Sequence, residues 1–151
     1  MSTKLSPALE AELRQAALTA REQAYAPYSQ FRVGAALRCE DGTVVTGCNV
    51  ENASYGLCVC AERTAIGCAV AQGRRRFSAI AIATASSPPS PPCGMCRQVL
   101  AEFCDDLPIL LVNPSGEERD TTLKALFPSG FDRQLLERGT DAGTGEPQGG
   151  A

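Results

Sequence analysis

Three thiols and one carboxylate carry the chemistry open to this sequence. Cys60-Ala61-Glu62 is followed further on by Pro92-Cys93-Gly94-Met95-Cys96. Three thiolates at that spacing can hold one zinc ion and leave its fourth position open to water. A catalytic ion needs that opening, whereas structural zinc usually closes its shell with four protein ligands. Glu62, two residues after the first thiol, is too hard and too poorly placed to complete the shell, but well placed as a base beside the metal. The chain has no histidine. Imidazole ligands and bases are therefore excluded, and any zinc chemistry must run on thiolates and Glu62.

Two blander readings compete. A lone Cys-x-x-Cys also describes a redox dithiol or half of a zinc ribbon. A redox pair would not account for Cys60-Ala61-Glu62 at the start of a second helix. A ribbon needs a fourth ligand, and Cys39, Cys48, Cys58, Cys68 and Cys104 supply no second Cys-x-x-Cys. Cys58 is the nearest rival ligand; otherwise these five read as small buried hydrophobes. Cys93 and Cys96 share one face of the helix they open, and Cys60 opens another. Two helix N-termini aimed at one point stabilise anions and lower thiol pKa values. Arg63 and Arg97 each directly follow a key residue. They are expected to donate to the thiolate sulfurs and offset the charge, or else to be plain helix-surface cations. Gln98 is a further candidate for a place around the metal ligands.

The elements that must position these groups are legible from periodicity. Leu9, Leu13, Ala16, Ala17 and Ala20 predict an amphipathic helix over 7–25, started by Ser6-Pro7 and stopped before Pro27. Strands are expected over 31–39 and 43–50 around the Glu40-Asp41-Gly42 turn. A helix over 60–72 ends at Gly73. Residues 77–85, small and branched, read as a strand buried on both faces. A proline-rich loop, 86–92, feeds a helix over 93–104. Strands over 108–112 and near 118–122 flank the Asn113-Pro114-Ser115-Gly116 turn. Short helices follow over 123–127 and 132–138. This order predicts an α/β fold, a mixed sheet with helices on both faces. One domain over 1–138 with a disordered tail over 139–151 is expected.

Composition sets the outer limits. A chain of 151 residues with 44% hydrophobic and 21% charged residues suits one soluble domain with a real core. A net charge of -3 argues against a nucleic-acid partner, and the basic cluster Arg74-Arg75-Arg76 follows a helix end, where cations complement the dipole. No segment has signal-peptide character or the ~20 apolar residues of a membrane span. A cytoplasmic location follows as the expectation, and there the eight cysteines stay reduced rather than forming a disulfide framework.

Four blocks then carry a resemblance. Tyr28-Ser29-Gln30-Phe31-Arg32-Val33-Gly34-Ala35-Ala36-Leu37, Asn49-Val50-Glu51-Asn52-Ala53-Ser54-Tyr55, Cys60-Ala61-Glu62-Arg63-Thr64-Ala65 and Cys96-Arg97-Gln98-Val99-Leu100-Ala101-Glu102-Phe103 occur in order. With Pro92-Cys93, they resemble the zinc-dependent free-nucleoside cytidine deaminases of the three-cysteine type. Arg32 stands where many relatives carry proline, and loop 86–92 is unusually rich in it. The resemblance implies a three-layer α-β-α fold with a five-stranded mixed sheet. It implies one zinc per subunit on Cys60, Cys93 and Cys96, with Glu62 shuttling protons. Asn49 and Glu51 would bond the ribose hydroxyls, although Asn-x-Glu at a strand end also suits turn capping. Phe31 would pack on the pyrimidine rather than serve as plain core, and the Ala61 N–H would hold the base carbonyl. Tyr55 and Phe131 resemble residues that close a neighbour's pocket in the homotetrameric branch.

The implied reaction converts cytidine, and 2'-deoxycytidine, to uridine or deoxyuridine and ammonia in pyrimidine salvage. A deaminase acting on an antibiotic such as blasticidin S is the nearest enzymatic rival. A polynucleotide-editing enzyme is disfavoured by the acidic charge and the lack of a histidine ligand. A structural zinc module is the non-enzymatic one.

Overall fold

The computed structural model describes residues 5–139 of the chain. Helix α1, Pro7–Glu22, begins as its residues dictate: Ser6 accepts the Leu9 N–H at 3.4 Å and Pro7 occupies the first turn. The hairpin of β1, Gly34–Cys39, and β2, Val44–Cys48, follows. Its turn places Gly42 at φ +87° and lets Asp41 accept the Thr43 N–H at 2.9 Å. A single 3-10 turn, Tyr55–Leu57, precedes α2, Ala61–Ala71. Then come β3, Phe77–Ala83; α3, Gly94–Phe103; β4, Pro108–Val112; and β5, Glu118–Thr122. Two short helices, α4, Leu123–Leu126, and α5, Arg133–Arg138, close the described chain.

The five strands form one sheet in the order β2-β1-β3-β4-β5. Only β3 and β4 run parallel, joined through α3; the other neighbours are antiparallel. Alternation along the strands sorts side chains to two faces. Leu37, Ile80, Ile82, Ile109 and Leu111 face α2 and α3, meeting Ala65, Ile66 and Leu100. Ala36, Ala79, Ala81, Ala83 and Leu110 face α1, meeting Leu13 and Ala17. The result is the predicted three-layer arrangement.

Small residues bring the layers close where the site will form. A Cβ on Gly47 would lie 2.4 Å from the Ala65 nitrogen and 2.5 Å from the Ala61 carbonyl oxygen. The first turn of α2 therefore rests on bare β2 backbone, a contact open only to glycine.

The predicted elements are all present, with shifted ends. The strand expected from residue 31 begins at Gly34, because the Asn49 side chain occupies the backbone of 31–33: Val33 N–H donates to Oδ1 and Nδ2 donates to the Phe31 carbonyl, both at 2.8 Å. Val50, expected at the end of β2, instead bridges Tyr25 and Val59. Arg74 and Arg76 pair with Asp41 and Glu40 of the hairpin at 3.0 and 3.6 Å. Among the five remaining cysteines, Cys39 is buried and Cys48, Cys58 and Cys104 are half-buried, but Cys68 is exposed. The expectation of a buried Cys68 is corrected: the buried stripe of α2 runs Ala61, Glu62, Ala65, Ile66 and Ala69, and Cys68 lies off it. No described helix is long and apolar enough to cross a membrane. The tail expected over 139–151 lies, beyond Gly139, outside the described residues.

Candidate active site

Two helix starts converge behind the carboxyl end of β3, the crevice where open α/β sheets place their ligands. Cys60 is the N-cap of α2 and Cys93 the N-cap of α3, both extended, with φ/ψ of -73°/156° and -66°/166°. They stand one residue outside the helices rather than inside them as predicted. Neither sulfur caps its own helix. Cys96 lies in the first turn of α3, wholly buried.

The sulfurs of Cys60, Cys93 and Cys96 lie within 4.8 Å of one another, and Cys60 and Cys93 are 3.7 Å apart. Three sulfurs around zinc at ~2.3 Å in tetrahedral geometry would be spaced by about 3.8 Å. The cluster thus fits one zinc ion with little adjustment. Its electrostatics favour thiolate at Cys60: a hydrogen bond from Cys96 and the neighbouring Arg63 guanidinium bring that thiol down to about 5. The Cys96 thiol is raised correspondingly, beside the Cys60 thiolate and in a buried position.

Glu62 is one of three buried polar or charged residues among those described, only 4% exposed. Burial, and then the Cys60 charge, raises its pKa above the usual carboxylate range. An upward shift is the direction that suits a carboxyl which must accept a proton as well as release one.

Arg63 donates from Nη2 to the Cys60 sulfur at 3.6 Å and to the Cys58 carbonyl at 3.3 Å. Arg97 departs from expectation and touches no sulfur. Its Nε donates to the Pro92 carbonyl at 2.8 Å and its Nη1 to the Leu126 carbonyl at 2.9 Å. Gln98 likewise faces away from the thiols: Nε2 donates to the Phe131 carbonyl at 2.6 Å and Oε1 accepts the Phe131 N–H at 3.2 Å. Arg97 and Gln98 therefore tether the 126–131 segment to the helix that carries two of the cysteines.

A cavity of about 330 Å³ opens onto Cys60, Cys93 and Glu62, within the ~300–1,000 Å³ range of small-molecule sites. Phe31, Asn49 and Glu51 line it as well. The Glu51 carboxylate accepts the N–H groups of Tyr28 and Ser29 at 2.9 and 3.2 Å and the Ser29 hydroxyl. The hydroxyl bond, followed by the N–H bonds, outweighs partial desolvation and holds its pKa below the usual carboxylate range. A carboxylate offers about four lone-pair sites, so Glu51 keeps an acceptor in hand. Asn49, with one amide hydrogen and one oxygen lone pair engaged in the backbone of 31–33, keeps one of each.

Ala61 is fully buried in the first turn of α2, where its backbone N–H belongs to the set with no intrahelical acceptor. Tyr55 and Phe131 are 73% and 60% exposed and do not line the cavity. Tyr55 makes an edge-on contact with Tyr28, ring centroids 5.9 Å apart. The cavity also includes Cys58, the rival ligand of the sequence, Ser29 and Val33 of the first block, and Val59, Ile82, Thr84, Ser90 and Pro91, to which the sequence assigned no role. Strand polarity was the available signal for two of them: Ile82 and Thr84 fall at the carboxyl end of a strand whose neighbour runs parallel.

A three-layer α-β-α domain with a three-thiol cluster and one buried carboxyl beside a single cavity defines a metal-assisted hydrolytic enzyme. Residues 8–110 match the family described as the cytidine and deoxycytidylate deaminase zinc-binding region. The chain is 51% identical over 118 residues to a cytidine deaminase of Sporosarcina psychrophila, covering 78% of this chain and 87% of that one. It is 53% identical over 127 residues to a cytidine deaminase of Mycobacterium tuberculosis, covering 83% and 92%. The crystal structure of cytidine deaminase from Burkholderia pseudomallei superposes with a TM-score of 0.78 at 52% identity, over 80% of this chain and 98% of that one. The chain belongs to the cytidine and deoxycytidylate deaminase zinc-binding family.

Proposed function

We propose that this chain catalyses the zinc-dependent hydrolytic deamination of cytidine, and of 2'-deoxycytidine, in pyrimidine salvage in the cytoplasm, with residues 1–138 as the catalytic unit. The observation that carries this reading is one cavity with two chemically distinct sets of lining groups. Cys60 and Cys93, two members of the three-thiol cluster with Cys96, line it together with buried Glu62, and so do Phe31, Asn49 and Glu51. Cysteine-bound zinc supplies a water acidic enough to act as nucleophile near neutral pH.

Every other step belongs to the chain's own groups. Glu62 takes a proton from the attacking water and delivers it to N3 of the pyrimidine as the C4–O bond forms. A second proton passes through Glu62 to the departing amino nitrogen, and the C4–N bond breaks to leave uridine and ammonia. Its raised pKa suits a group that must accept and then release a proton. Arg63 offsets the charge on the Cys60 sulfur. The Ala61 N–H holds the base carbonyl, Phe31 packs on the ring, and the spare polar positions of Asn49 and Glu51 match the donors and acceptors of a ribose diol.

The assembly that fits is a homotetramer with shared pockets. Tyr25, Tyr28, Phe31, Tyr55 and Leu57 are exposed near the cavity mouth, an apolar surface of the kind that subunit contacts cover. Tyr55 and Phe131, outside their own cavity, are free to close a neighbour's. The decisive assay measures bound zinc and the ultraviolet change when cytidine is added, with blasticidin S as the competing substrate. One zinc per chain and loss of cytidine absorbance are expected. Zinc present with no change in cytidine would overturn the reading.

A further inference from the structure

We propose that Thr84 is a positioning residue for the deamination reaction, fixing through Ser90 the cavity wall that ends at Cys93; the proposal rests on the cytidine-deaminating reading above. The described residues bury three polar or charged side chains, Glu62, Thr84 and Asn113. Glu62 serves the chemistry. The other two stand just beyond β3 and β4, and both hold the same loop, 86–92.

Thr84 is 2% exposed, a costly place for a hydroxyl unless it is bonded. Its Oγ1 accepts the Ser90 N–H at 3.0 Å and meets the Ser86 Oγ at 3.0 Å, and Ser86 Oγ meets Ser90 Oγ at 2.6 Å. Asn113 secures the other end of the loop, donating from Nδ2 to the Ser86 carbonyl at 3.1 Å. Ser87 donates to Glu117 at 2.7 Å. A loop of Pro88, Pro89, Pro91 and Pro92 has few backbone N–H groups with which to anchor itself. The Ser90 N–H is one of them, and Thr84 takes it.

Proton accounting carries the inference into the cavity. Each hydroxyl has one hydrogen to give. The two contacts within the Thr84–Ser86–Ser90 chain consume two of its three hydrogens, whichever way the chain runs. Where the donors run in one direction along the chain the unspent hydrogen belongs to Ser90 or to Thr84, which both line the cavity, and where Ser86 accepts from both neighbours it is Ser86's own. Thr84 thus fixes, through Ser90, the stretch of cavity wall that carries Pro91 and leads to Cys93.

The test uses the zinc-loaded full chain with Thr84→Val, Thr84→Ser and Ser86→Ala. Cytidine kcat and KM are measured alongside zinc retention against a chelator and a thermal melt. Thr84→Val is expected to raise KM about tenfold, the size of one lost buried hydrogen bond, with a smaller change in kcat and faster zinc loss. Thr84→Ser restores both, because it returns the hydroxyl without the methyl group. Ser86→Ala, half-exposed and safe for folding, cuts the chain and raises KM less. Unchanged KM and zinc retention in Thr84→Val and Ser86→Ala would overturn the proposal, as would a Thr84→Ser protein as impaired as Thr84→Val. If the zinc-loaded wild type leaves cytidine intact, the functional reading fails, and zinc retention alone then judges the positioning role.

Discussion

The two sets of residues around the cavity are built on opposite principles. The thiol side is set on helix starts: Cys96 and Ala61 are fully enclosed and Glu62 nearly so, Cys60 is half-buried and Cys93 reaches the surface, and Gly47 lets α2 rest directly on β2. Phe31, Asn49 and Glu51 lie outside the helices. Phe31 is 44% exposed, and Asn49 and Glu51 are held by backbone N–H and C=O groups of the 25–33 segment rather than by packing. Burial tunes the Glu62 pKa upward, while hydrogen bonds tune Glu51 downward. Two carboxyl groups that line one cavity are thereby shifted in opposite directions, as the proposed proton carrier and the proposed acceptor would require. On the proposed reading, the groups that react are set by helix starts and the groups that recognise substrate are set by hydrogen bonds to a loop.

The strongest way to break this contrast is to remove a metal ligand. Cys60→Ala is expected to lose bound zinc and lower turnover by about 10³-fold or more, since the acidified water is lost with the ion. Metal analysis and the cytidine assay check both together. Among the loop-held groups, Asn49→Ala should leave zinc in place and raise the cytidine KM by about 10- to 100-fold, because two backbone bonds and the diol contact go at once. Gly47→Ala probes the thiol side through packing alone. The new methyl group meets α2 backbone rather than a flexible side chain, and a loss of about 1–3 kcal/mol in stability is expected by denaturant titration.

The smallest effect sharpens the carboxylate contrast. The lowered folded-state pKa of Glu51 contributes stability that is present above the ordinary carboxylate value and is lost as pH falls through the lowered one. Ser29→Ala removes the main cause of that lowering. The acid limb of cytidine KM should therefore move to higher pH, while the zinc content at neutral pH stays at the wild-type level.

Much of this site was legible because its residues act through local spacing. Cys60-x-Glu62 and Cys93-x-x-Cys96 announce a metal cluster before any fold is known, and β4 and β5 appear at their expected bounds. What was illegible depends on contacts distant in sequence. Nothing around Arg97 signals that its guanidinium reaches the Leu126 carbonyl rather than a sulfur. Asn49 replaces strand pairing with its own amide, which moves the start of β1 by three residues from position 31 to 34. The Thr84 hydroxyl chain is likewise invisible, because a serine- and proline-rich loop reads as a solvated turn until β3 and β4 bring Thr84 and Asn113 beside it. The exposure of Cys68, by contrast, was available from the helical period of α2.

The central claim is that Glu62 moves the protons and does not hold the metal. It is tested most directly by measuring zinc content and cytidine turnover on the same sample of Glu62→Ala. The account predicts one zinc per chain with turnover lowered by about 10³-fold or more. Turnover near the wild-type rate in that metal-loaded protein would contradict it.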